Sequence, residues 1–142
     1  MSDVLELVDR LGRAFLDQDV EAALACFVPD DDITYFGSES GESATGRESV
    51  RALLAGLFAR DEAYTWQATS ATVHSLPGAA FVIAEADGAE HAPDGTVEPF
   101  PYRITGLLSR RSSGAWLWRA VQGAEPTTDS APGTMSRPAA RA

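Results

Sequence analysis

Few side chains in this sequence are both reactive and set among apolar neighbours. Glu85 is the clearest, inside the run Phe81-Val82-Ile83-Ala84-Glu85-Ala86. A carboxylate buried in such a run becomes a competent acid or base. At an edge it would instead reach solvent or form a salt bridge. Arg103, in a second apolar run, is its natural partner. An Arg–Glu pair inside a cavity grips a polar ligand, or serves structure alone. Gln122 falls at the same strand parity as Trp118 and Trp116. An amide beside indoles suits a pocket of mixed polarity, and a core tryptophan pair with a satisfied amide fits equally. Tyr35 and Trp66 supply further aromatic wall. Asp31 and Asp32 read as turn or cap residues, with Asp32 kept as a ligand-facing candidate.

Other chemistries find no support. His74 and His91 show no ligand spacing with Cys26, so no metal site is expected. Cys26 has no evident polar partner and reads as a small core residue. The glycines around Gly37 and Gly41 lack the Gly-Lys-Ser/Thr ending of a phosphate loop. No serine sits in a nucleophile elbow. Chemistry without a cofactor is the expectation.

The chain has 142 residues, enough for one domain with its own core. Its net charge of −10 repels both nucleic acid and anionic membranes, so neither is an expected partner. A lone cysteine gives no internal disulfide framework. No apolar run is long enough to span a membrane. The start, Met1-Ser2-Asp3-Val4, lacks the basic and apolar pattern of a signal peptide. A cytoplasmic location is expected.

Helices come first along the chain. Ser2 is placed to cap a helix whose apolar stripe is Val4, Leu7, Val8, Leu11 and Phe15. Asp19 caps a short second helix carrying Val20, Ala23, Leu24 and Phe27, which Pro29 ends. Ile33 to Phe36 is β-branched and aromatic, as strands prefer. Turn formers fill Gly37 to Glu42. A third helix is predicted from Arg47 to Ala59, with Glu48 and Arg51 paired on its surface. Four strands then follow, at Tyr64–His74, Ala79–Ala86, Phe100–Arg110 and Ala115–Ala124, with a polar loop at Ala89–Thr96. Short turns between consecutive strands imply an antiparallel sheet. The domain is expected to occupy 1–126. Residues 127–142, rich in Thr, Ser, Pro, Gly, Ala and Arg, read as a tail.

Two strands carry large apolar groups at both parities. One is Trp116-Leu117-Trp118-Arg119-Ala120-Val121, and the other runs from Ile104 to Leu108. A sheet with one wet face alternates cleanly. Here both faces look covered, one by the helices and the other by a second subunit, which predicts a two-fold homodimer.

The order of elements resembles the nuclear-transport-factor-2-like superfamily, and within it the SnoaL-like family. Three segments carry the resemblance. The first runs from Asp31-Asp32-Ile33-Thr34-Tyr35-Phe36-Gly37-Ser38-Glu39 through Gly41-Glu42 to Gly46-Arg47-Glu48. The second is Tyr102-Arg103-Ile104-Thr105-Gly106, and the third Trp116 through Gly123-Ala124-Glu125-Pro126. Related sequences often carry His or Ser near the end of the last strand, where this chain has Ala120, Gln122 and Ala124. The resemblance implies an α+β fold, a cone-shaped, strongly curved antiparallel sheet wrapped around three N-terminal helices, with a cavity between them. It spans isomerases, dehydratases, cyclases, epoxide hydrolases and non-catalytic binders, so it leaves function open. The carboxylates and tyrosines here show no spacing that matches the Asp and Tyr set of ketosteroid isomerase.

Two functions follow as expectations. In the first, the chain is an acid–base enzyme acting on a small apolar or mixed-polarity molecule. Glu85, Arg103 and Tyr35 would do the work, while Trp66, Trp118, Gln122 and Asp32 shape the site. In the second, it is a non-catalytic dimeric module that binds a ligand or a protein. The first requires Glu85 to face inward.

Overall fold

The computed structural model describes residues 3–127. Ser2 and nearly all of the expected tail lie outside them. The helices are α1 (Val4–Leu16), α2 (Val20–Leu24) and α3 (Arg47–Phe58). The strands are β1 (Thr34–Phe36), β2 (Ser43–Thr45), β3 (Ala63–Leu76), β4 (Ala79–His91), β5 (Val97–Arg110) and β6 (Trp116–Ala124). They form one six-stranded sheet in the order β2-β1-β6-β5-β4-β3. All pairings are antiparallel except β1 with β6, which is parallel. The sheet is curved and unclosed, and the N-terminal helices fill its concave side, as the resemblance implied.

Local chemistry explains most element ends. Asp19 caps α2 by accepting the Ala22 amide at 3.0 Å. Asp3 occupies the cap position of α1 without a side-chain bond. The amide of Arg47, at the start of α3, is satisfied from outside the helix by Asp31 Oδ1 at 2.8 Å. The expected Glu48–Arg51 pair does not form, because Arg51 reaches across to Glu21 on α2. The loop expected at Ala89–Thr96 is shorter than that, because β4 continues to His91. β4 and β5 pair out to His91 and Val97, and only Ala92 to Thr96 makes the turn. Polar composition there reflects solvent exposure, while cross-strand pairing fixes the backbone.

Bulges bend the sheet. Register slips between Ala68 and Ser70 on β3, and opposite Leu107/Leu108 on β6, where Arg119 is the extra residue. Each bulge raises the local twist. The first helix is clamped onto the bent β3. The Trp66 indole donates to the Val8 carbonyl at 2.9 Å, Thr65 Oγ1 to the Gly12 carbonyl at 2.6 Å, and the Ala68 amide to Asp9 Oδ1 at 2.7 Å. Gly12 permits this approach, since a Cβ there would lie 2.6 Å from the Trp66 carbonyl. The core between helices and sheet includes Leu11, Leu24, Phe27, Ile33, Leu54, Ile104, Leu108 and Trp118. Among the described residues no helix is long and apolar enough to cross a membrane.

Candidate active site

Inward-facing rings at one end of the concave face leave a small, partly open pocket with about 60 Å3 of free space. Phe15 of α1 is the hub. Its ring centroid lies 4.7 Å from Trp66, 4.9 Å from Phe58 and 5.8 Å from Tyr35. Tyr102 stacks on Trp66 at 5.4 Å and meets Phe100 edge-on at 5.6 Å. Such contacts hold ring positions more firmly than area burial alone. Strand parity directs these rings inward: Tyr102, Ile104, Gly106 and Leu108 are the buried set on β5.

Polar groups enter from the mouth. Glu42 sits in the loop just before β2, and its side chain is only 15% exposed. One of its oxygens accepts the Glu39 amide at 3.4 Å, and the other lies 4.0 Å from Arg60 Nη2. Gly37 makes room for it, because any Cβ at 37 would collide with the Glu42 carboxylate. Glu62 receives the Tyr64 hydroxyl at 3.3 Å, and Glu125 receives Ser38 Oγ at 3.5 Å. Gln18, in a left-handed conformation at φ 52°, donates to the Arg60 and Glu62 carbonyls at 3.0 and 3.2 Å. It thereby ties the α3–β3 loop to the end of α1.

Two phenols face these acids. Burial, then the neighbouring Tyr102 phenol as it ionises and the charge of Glu42, raises the Tyr35 pKa well above its usual value. Burial and the Glu42 charge push Tyr102 up to about 12, against a smaller opposing hydrogen bond from Ser38. Both are therefore neutral hydroxyls at physiological pH and can donate hydrogen bonds. Gly123 leaves space for the Tyr102 hydroxyl, since a Cβ there would overlap it.

The residues singled out in the sequence divide sharply. Tyr35 and Trp66 line the pocket. Glu85 and Arg103 pair across β4 and β5 at 3.1 Å, as their chemistry suggested. They do so on the outer face, with side chains 53% and 44% exposed, so the inward Glu85 of the enzyme hypothesis is not what the fold provides. Exposed neighbours at the same parity, Phe81 and Asp87, mark that face. Trp118 is fully buried in the core, away from the pocket lining, and its indole N–H has no partner among the described residues. Gln122 points outward. The Arg119 bulge breaks the parity that put Gln122 beside Trp118: Trp118, Val121 and Gly123 are the buried positions of β6. Asp32 lies on the surface 3.3 Å from Arg119, which also holds Asp30 at 3.1 Å.

Glu42, Tyr102, Ser38 and Arg60 went unrecognised in the sequence. Glu42 and Ser38 lie in a run that carries the family resemblance but whose own residues read as turn formers, and Arg60 in a helix-terminal loop. The Gly37…Glu42 and Tyr102…Gly123 pairings, each a glycine beside a bulky polar group, are visible only once the chain is folded. Cys26 is buried, and burial raises its thiol pKa, as suits a core residue. Among the described residues no group of three or more His, Cys, Asp or Glu side chains is arranged to hold a metal.

Several solved structures share this architecture. A proposed dehydratase of the NTF2-like family from Streptomyces avermitilis superposes with a TM-score of 0.73 at 15% identity, covering 89% of this chain and 96% of that one. ActVI-ORFA from Streptomyces coelicolor gives 0.71 at 17% identity, covering 87% and 95%. A proposed scytalone dehydratase from Novosphingobium aromaticivorans gives 0.71 at 12% identity, covering 96% and 95%. At these identities the likeness concerns the fold. No curated protein matches by sequence. The family model of the SnoaL-like domain matches residues 4–124, and the chain therefore belongs to the SnoaL-like family.

Proposed function

We propose that this protein binds a small, largely apolar molecule in the aromatic pocket and moves a proton on it without a cofactor. The observation that carries this reading is Glu42, a largely enclosed carboxylate near two phenols that are neutral at physiological pH. A carboxylate base can take a proton from carbon beside a carbonyl, while a phenol donates to the oxygen on which charge develops. Expulsion of a β-hydroxyl from the resulting enolate would make the same set a dehydratase, the activity named for two of the structural relatives. In this reading Glu42 and Tyr102 replace Glu85 and Arg103, and Tyr35 keeps its place. The test is deuterium exchange into a panel of aryl ketones in D2O, followed by NMR. Exchange above buffer that Glu42→Gln lowers at least about 100-fold supports the proposal. Exchange unchanged in Glu42→Gln, or absent across the panel, overturns it. Binding without exchange would favour the non-catalytic module.

We also infer a two-fold homodimer through the outer face of the sheet. Phe36 and Phe81 are 42% and 39% exposed there. They border a shallow depression with Leu107, Ala120 and Gln122 whose lining bears no charged side chain. On a chain of net charge −10, an uncharged apolar patch is where two copies repel least and bury most. Light scattering at micromolar concentration should give twice the chain mass, and Phe81→Asp should halve it. A wild-type monomer would end this inference. The lone, buried Cys26 is consistent with a reducing, cytoplasmic setting.

A further inference from the structure

The pocket walls and the pocket mouth ask for different things of a ligand. The walls are rings, Phe58, Trp66 and Tyr102 among them, with Trp66 and Tyr102 stacked on each other. The lining is acidic: Glu39, Glu42, Glu62 and Glu125 belong to it, against Arg60 as its one basic residue among the described residues. Four carboxylates and one guanidinium leave a formal charge of −3. Arg60 contacts only Glu42, and at 4.0 Å. Among the described residues, the recorded side-chain partners of Glu62 and Glu125 are neutral hydroxyls, and Glu39 has no cationic partner. Glu42 carries negative charge inward: after burial, the largest cause, its charge helps to raise the pKa of both Tyr35 and Tyr102.

An anion entering this mouth meets repulsion from the pocket and from the chain as a whole, whose net charge is −10. A neutral molecule gains only apolar contact. A cation gains the carboxylates at the rim while its apolar part meets the ring-lined wall behind them. We propose that the pocket selects a positively charged organic molecule, one aromatic ring in size, with its ammonium group at the Glu39–Glu62–Glu125 rim and its apolar body against Phe58, Trp66 and Tyr102. This rests on the pocket being the ligand site, and it names the ligand class. A substrate that brings its own positive charge also eases the build-up of negative charge on a carbonyl oxygen otherwise surrounded by acids.

The test uses three soluble probes of one shape: phenethylamine, 2-phenylethanol and 3-phenylpropionate. Each is titrated into the full chain by calorimetry at low salt, with Trp fluorescence as a second readout. Phenethylamine should bind at least about tenfold tighter than 2-phenylethanol, and 3-phenylpropionate should bind weakest. The Glu39→Gln/Glu62→Gln variant should bring phenethylamine and 2-phenylethanol to within about twofold of each other. If 2-phenylethanol binds the wild type as tightly as phenethylamine, the charge selection is wrong and the pocket as ligand site stands. If the discrimination survives in the double variant, the rim does not cause it, and the inference also fails. If none of the probes binds up to about 10 mM, both this inference and the ligand site itself fall.

Discussion

The sheet carries a glutamate of possible consequence on each side, and the two live in different worlds. Glu85 stands on the outer face, half-exposed and matched with Arg103 across a regular strand register. Glu42 hangs from a loop over the concave face, 15% exposed, among aromatic rings, with a distant Arg60 as its one basic partner. A solvated surface pair contributes little to stability and is screened by salt. An enclosed carboxylate with few partners is, in the proposed reading, the one available to a ligand. Local sequence ranks them the other way. Glu85 looks buried because its chain neighbours are apolar, yet in a strand the adjacent Ala84 and Ala86 face the opposite side.

The largest effect that would break this contrast is on turnover. Glu42→Gln should lower proton-transfer activity by roughly 10²–10⁴-fold, and Glu85→Gln should leave it within about twofold. The reverse ranking in a kinetic assay would return the site to the outer face.

Packing behind the pocket gives the next effect. Gly123→Ala places a methyl against the Tyr102 hydroxyl and should cost about 1–3 kcal/mol in a denaturant titration. It should also displace the ring stacked on Trp66 and weaken ligand binding. A variant of wild-type stability would mean that the Tyr102 end of the pocket is loosely packed.

Alkaline pH probes the same wall. The Tyr102 pKa is about 12 in the folded protein, above the usual value of 10, so the folded state holds this proton more tightly than the unfolded state. The associated stability is fully present below pH 10 and is lost as pH rises through 12, a decline of order 2 kcal/mol. Tyr35 shifts the same way, and Tyr64 is also raised. Absorbance titration near 295 nm should show Tyr64, the least buried of the three, ionising first. Tyr102→Phe should remove part of the loss of stability above pH 10.

The smallest effect lies away from both faces of the comparison. A Cβ at Gly56 on α3 meets nothing within 4 Å, so Gly56→Ala should stabilise by about 0.5–1 kcal/mol in the same titration. Set against Gly123→Ala, it separates glycines that make room from glycines that do not.

Much of the architecture was legible along the chain. The stripe from Val4 to Phe15, the Asp19 cap, the Val50–Leu57 face and the four long strands each follow from local periodicity and turn chemistry. Strand β2 was missed, because Ser43-Ala44-Thr45 carries no large apolar group and pairs only because β1 lies beside it. The candidate site was less legible. Tyr35 and Trp66 belong to it, whereas Trp118 went to the core and Gln122 to the surface once Arg119 bulged out of register.

The sequence by itself determined which segments become helix and strand, because periodicity, caps and turns act over a few residues. It also set the chemical inventory, an acidic chain with few cations and many rings. Only the tertiary structure decided which carboxylate meets those rings. That choice depends on strand register, on one extra residue in β6, and on glycines lying opposite Glu42 and Tyr102. Strand register and the Tyr102–Gly123 contact join positions well apart in the chain, and only the packing of helices on a bent sheet brings them together.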